Sequence, residues 1–113
     1  MRRRSKYGNV RTMVGPHSFA SKAEARRYGE LRLLEKAGEI FNLTLQRPFL
    51  LTVNDTPVCS YVADFTYTSQ PSGEYVVEDV KGVRTAVYRL KAKLMLACHG
   101  VKITEISTRG KRA

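Results

Sequence analysis

The sequence predicts one α/β domain, a mixed sheet flanked by helices in the order α-β-β-β-α-β. Three observations carry this expectation. The chain has 113 residues, a length for one domain with a small core. Two segments of helix-forming residues are each closed by a glycine, Gly38 and Gly100. Between them lie stretches rich in Val, Tyr, Phe and Thr, separated by turn-forming clusters. Apolar content of 42% is ordinary for a globular chain and argues against wholesale disorder.

Each element has a local reason. The polar, Gly-containing residues 1–16 read as a loose arm. Ser21-Lys22-Ala23-Glu24 has the form of a capping box and opens the first helix. Its apolar stripe is Ala23, Leu31, Leu34 and Ala37, with Tyr28 beside it. Arg27 interrupts that face, and its stem is expected to lie along apolar surface while its charge reaches water. Residues 43–53 form the first strand, where Pro48 marks an edge or a bulge. Asn54-Asp55-Thr56-Pro57 is a turn, and residues 58–68 are the second strand. Ser69-Gln70-Pro71-Ser72-Gly73 closes a second hairpin onto residues 74–81. Residues 85–99 form the second helix, with Val87, Leu90, Leu94 and Cys98 spaced as its buried face. Residues 101–106 are a last strand, expected parallel to a neighbour because a helical crossover precedes it.

The net charge of +10 is unevenly placed. Arg2, Arg3, Arg4, Lys6 and Arg11 occupy residues 1–11 without an acid, and Arg109, Lys111 and Arg112 occupy residues 107–113 likewise. The body between them carries 12 basic and 10 acidic residues. The chain thus divides into a basic arm (1–16), a folded body (17–106) and a basic tail (107–113). Basic arms suit a polyanion, because neutralising phosphates releases condensed counterions. A solvated tail that aids solubility is the plainer reading. An anionic membrane surface fits less well, since the arms lack an apolar face. No apolar run approaches the ~18–20 residues of a membrane span, and no signal peptide is evident. Cys59 and Cys98 match no zinc or redox spacing and read as small core residues. A soluble protein of a reducing cytoplasm is therefore expected.

The chemistry is concentrated in Asp64 and in Glu78-Asp79-Val80-Lys81. Asp64 stands mid-strand between Ala63 and Phe65, where a carboxylate is a poor strand former and costly to bury unless paired or bound to a metal. Alternation puts Tyr75, Val77, Asp79 and Lys81 on one face, and Glu74, Val76, Glu78 and Val80 on the other. The hairpin lets Asp64 and Asp79 approach at one end of the sheet. Two carboxylates and a backbone carbonyl make a hard oxygen site suited to Mg²⁺ or Mn²⁺. A neighbouring lysine can orient the attacking water and offset developing negative charge.

This arrangement resembles the PD-(D/E)xK nuclease superfamily, whose restriction-endonuclease-like core has the same αβββαβ order. More closely, the chain is similar to small phage-encoded endonucleases related to Holliday junction resolvases. The resemblance runs over residues 17–106, through the stretches 19–28, 46–49, 61–65 and 77–82 and the helix as far as Lys91. It implies Asp64 as first acid, Asp79-Val80-Lys81 as the tripeptide, and Glu24 as an additional acid on the first helix. Ala63 stands where the motif name has proline. The resemblance further implies Mg²⁺, with Mn²⁺ as a substitute, held by Asp64, Asp79, Glu24 and the Val80 carbonyl. It also implies branched DNA as substrate and a homodimer with one site for each of two strands.

Rival readings remain for single residues. Glu24 has a second reading as the partner of the Ser21 cap. Asp64 could pair with Lys81 as a structural ion pair, which leaves Asp79 unexplained. Glu78 faces away, toward a second metal or the surface. Gln46 is a candidate for touching the site from the first strand. Lys91 either reaches phosphate or lies on a solvated helix face. The alternative for the whole chain is a non-catalytic nucleic-acid-binding protein that uses its basic arms, or an assembly protein whose acids are structural.

Overall fold

The computed structural model describes residues 11–14 and 17–108. Its element order is β1 (Thr12–Val14), β2 (His17–Phe19), α1 (Lys22–Lys36), β3 (Ile40–Val53), β4 (Thr56–Ser69), β5 (Tyr75–Lys81), α2 (Ala86–His99) and β6 (Thr104–Ser107). From α1 onward this is the expected α-β-β-β-α-β series. A four-stranded sheet runs β3-β4-β5-β6; the first three strands are antiparallel neighbours, and β6 joins β5 in parallel after the α2 crossover. The sheet is mixed, as expected. No helix among the described residues is long and apolar enough to cross a membrane.

Local chemistry accounts for the boundaries. The Ser21 hydroxyl accepts from the Glu24 amide at 3.2 Å and starts α1. Thr85 caps α2 in the same way through the Tyr88 amide at 3.1 Å. Gly100, at φ 68°, closes α2 in the left-handed conformation that glycine adopts without steric cost. Asn54 and Asp55 both have positive φ, so a two-residue turn joins β3 to β4 and Val53 pairs with Thr56. The expected four-residue turn is thereby shortened, and Pro57 lies within β4 beside a bulge.

Apolar residues cover both faces of the sheet. Beneath α1, the core gathers Phe19, Tyr28, Leu31, Phe65 and Tyr67. Beneath α2 it gathers Phe49, Leu51, Tyr61, Val77, Tyr88 and Met95. Asp79 and Glu78 consequently point to opposite sides of β5, as alternation predicts.

Several expectations need correction. The arm is not loose throughout: Thr12–Val14 and His17–Phe19 pair as a small antiparallel hairpin whose Phe19 enters the core. On α1 the buried residues are Ala25, Tyr28 and Leu31, rather than a stripe through Ala23 and Ala37. Arg27 turns its guanidinium inward instead of to water, because a fully buried carboxylate, Glu78, awaits it on β5. On α2 the fully buried pair is Tyr88 and Met95; of the expected face, Leu94 and Cys98 pack partly buried against the core, while Val87 and Leu90 are 63% and 57% exposed. The last strand also begins later, at Thr104.

Candidate active site

Asp64 owes its position to a break in β3 and β4. Leu45 and Phe65 are cross-strand partners packed under α1, whereas Phe49, Tyr61 and Ala63 pack under α2. All five have odd numbers, so a regular pleat would have put them on one face. Both strands therefore change faces between these groups, at the level of Gln46 and Asp64, where no pair is formed in the ladder between Leu45–Phe65 and Arg47–Ala63. Gln46 has φ 51°, an unusual backbone for a non-glycine residue. The switch releases Asp64 from the core. Its Oδ2 accepts from the Val80 amide at 2.8 Å, and its Oδ1 accepts from Gln46 Nε2 at 3.4 Å.

Asp79 and Lys81 extend from β5 on the α2 side. Asp79 is only 4% exposed; the Tyr61 hydroxyl donates to its Oδ2 at 2.5 Å, and Lys81 Nζ lies 3.4 Å from its Oδ1. Lys81 Nζ also sits 4.1 Å from the centre of the Tyr88 ring, a cation–π contact. The Tyr88 hydroxyl donates to Glu105 Oε2 at 2.8 Å, and Arg84 holds the other oxygen. The lysine thus rests on a platform anchored to β6. Burial, followed by the Asp79 charge, raises the Tyr61 phenol well above its ordinary value, so it stays a donor.

Asp64, Asp79 and Lys81 line one open cleft of about 570 Å³, together with Ser21, Glu24, Val80 and Thr85. The N-caps of both helices border it, so two positive helix ends face the same space. Glu24 takes a backbone hydrogen bond at Ala20, one residue before the Ser21 cap, and also lines the cleft. Burial raises its pKa, as the Asp79 charge does to a lesser degree. Gly82 closes the floor; a Cβ there would stand 2.9 Å from Thr108 Cγ2.

Glu78 serves neither a second metal nor the surface. It is 0% exposed and is gripped by Arg27 through two bonds, Nε–Oε1 at 2.8 Å and Nη2–Oε2 at 2.7 Å. Tyr67 donates to it as well, and Arg27 also reaches Glu30 at 3.1 Å. This network pins α1 to β5 one helical turn from Glu24.

Other expected contacts fall elsewhere. Arg2, Arg3, Arg4 and Lys6 lie outside the described residues, as does the basic tail beyond Thr108. Arg11 is exposed, donates to Ser18 Oγ at 3.2 Å, and its charge reaches Glu24. Lys91 is half-buried on α2 and does not line the cleft. Cys59 and Cys98 are free thiols, both partly buried against the α2-side core. Tyr61 and Tyr88 support the site although the sequence presents them as core residues. Their usable signal is that each phenol needs a polar partner when buried.

The cleft carries three carboxylates, Glu24, Asp64 and Asp79, against one lysine. Among the described residues, no three His, Cys, Asp or Glu side chains close into a metal cage. The Asp64 and Asp79 carboxylates and a backbone carbonyl, in a cleft whose acids outnumber its one lysine, still fit a divalent hard cation. Mg²⁺ in particular takes one or two carboxylates and leaves its remaining positions to water and phosphate. Burial, then the charges of Asp79 and Glu24, push Asp64 up to about 7. In the metal-free protein, folded Asp64 holds a proton that the unfolded chain has released from about pH 4 upward. Stability should therefore fall as pH rises from about 4 to 7 and level off above. Thermal melts in chelator across this range should show the fall, and Asp64→Asn should flatten it. An equally steep fall in the variant would assign it to other groups.

A model of the DUF1064 family, described as a protein of unknown function, matches residues 4–111. No curated protein and no solved structure matches the chain.

Proposed function

We propose that this chain, which belongs to the DUF1064 family, is a Mg²⁺-dependent DNA endonuclease of the cytoplasm that hydrolyses phosphodiester bonds in branched DNA. One observation carries the reading: Asp64, Asp79 and Glu24 share a cleft with Lys81, although like charges repel and burial is costly there. A phosphate binder without a metal gains nothing from such acids.

Asp64, Asp79 and the Val80 carbonyl would hold the ion, with Glu24 completing the set from α1. A bound Mg²⁺ or Mn²⁺ supplies charge neutralisation at the phosphate and a lower pKa for the attacking water. The chain's own groups do the rest. Tyr61 and the Val80 amide fix the two aspartates before substrate arrives. Lys81, held over Tyr88, orients the water and offsets negative charge that develops on the phosphate. Water attacks phosphorus as the bond to the 3′ oxygen breaks, leaving a 5′ phosphate and a 3′ hydroxyl. A homodimer would set one cleft against each of two strands.

The basic arms would supply affinity without base readout. Removing residues 1–11 should weaken DNA binding and reduce the slope of log affinity against log salt by roughly four to five, about 0.9 for each phosphate no longer neutralised. An unchanged slope would show that these arginines miss the phosphates. The function itself is tested on a panel of four-way junction, flap, nicked and linear DNAs incubated with Mg²⁺. Metal-dependent cutting of the branched forms is expected. Binding without product in every case would leave a nucleic-acid-binding module.

A further inference from the structure

Gln46 occupies the point where β3 and β4 change faces. Its φ of 51° lies in the left-handed region, where side chains other than glycine, asparagine and aspartate are uncommon. A fold that merely needed this turn of the backbone would accept glycine at lower steric cost. Glutamine keeps an exposed side chain there, and its amide reaches Asp64 Oδ1 at 3.4 Å, opposite the Val80 amide on Oδ2. The other left-handed non-glycine residues, Asn42, Asn54 and Asp55, are types that tolerate this conformation; Asn54 and Asp55 form a turn, and Asn42 lies at a register shift. Among the described residues, Gln46 alone has neither explanation.

We infer that Gln46 is a positioning residue for the candidate metal site, its unfavourable backbone retained so that its amide fixes the Asp64 carboxylate. This rests on the proposed function for its purpose but not for its geometry. The backbone turns Asp64 out of the core, and the amide then fills one oxygen while the Val80 N–H fills the other. The carboxylate plane is thereby set before any cation arrives. Groups of this kind around metal ligands typically contribute 10–100-fold to metal affinity or activity.

The test compares wild type with Gln46→Gly and Gln46→Asn; both replacements tolerate the left-handed backbone, and neither reaches Asp64. Three readouts are taken: thermal melting, Mn²⁺ affinity by titration calorimetry, and the Val80 amide resonance without metal. The expected result is a melting temperature at or above wild type, Mn²⁺ affinity about 10-fold weaker, and a shifted Val80 amide. A melting temperature several degrees lower in both variants would make Gln46 a support of the fold and overturn the inference. Unchanged affinity with an unmoved Val80 resonance would overturn it as well. Should wild type bind no Mn²⁺, the metal reading fails, and the Val80 resonance alone decides: moved, it supports the positioning of Asp64; unmoved, it refutes it.

Discussion

Arg27→Met is expected to destabilise the protein by about 3–5 kcal/mol, because it leaves a buried carboxylate without its cation. Glu78 is 0% exposed and holds two guanidinium bonds; after the change only the Tyr67 hydroxyl remains. The companion variant Arg27→Met/Glu78→Leu separates charge from packing. Replacing a buried ion pair by apolar residues is often neutral or better. Most of the lost stability should return, short by about 1 kcal/mol for the Tyr67 hydroxyl left without an acceptor. Denaturant unfolding of the three proteins measures both steps. A single variant within about 1 kcal/mol of wild type would mean that Glu78 is not held in the core.

Lys81→Met is expected to lower the rate of DNA cleavage by about 10²–10⁴-fold, with affinity for DNA changed only a few-fold. The methionine keeps an apolar stem against Tyr88 and removes the ammonium that stands 3.4 Å from Asp79. Removing one cation from a cleft with three acids should, if anything, favour a divalent ion. A slower rate with intact metal binding would therefore point to the water or the phosphate. Single-turnover cleavage at saturating protein isolates the step. A rate within three-fold of wild type would remove Lys81 from the chemistry.

The sequence makes the strand order legible because turn residues and alternation are local properties. Asn54-Asp55 and residues 69–73 mark two hairpins, and glycines close both helices. The site is legible for the same reason: Asp79-Val80-Lys81 sits in one strand, where period two alone puts acid and base side by side. What stays hidden depends on packing between elements. On α2, Val87, Leu90, Leu94 and Cys98 look like the buried stripe, yet Leu94 and Cys98 are covered only in part and the fully covered residues are Tyr88 and Met95. The reason is Tyr88, whose hydroxyl finds Glu105 on β6, a strand that no local pattern ties to the helix. Arg27 reads as a solvent-seeking cation until Glu78 is found buried opposite it. The face change at Gln46 and Asp64 is invisible because the apolar residues keep the same parity on either side of it.

The central claim is that the acids of this cleft bind a metal in order to cut DNA. Its most direct test is cleavage of a labelled four-way junction by wild type and Asp79→Ala, each with Mg²⁺ and with chelator. Product with 5′ phosphate ends is predicted from wild type with Mg²⁺ alone, and none from the variant even where it binds the junction as tightly. Equal cleavage by the two proteins, or tight binding by wild type with no product in Mg²⁺ or Mn²⁺, would contradict the claim.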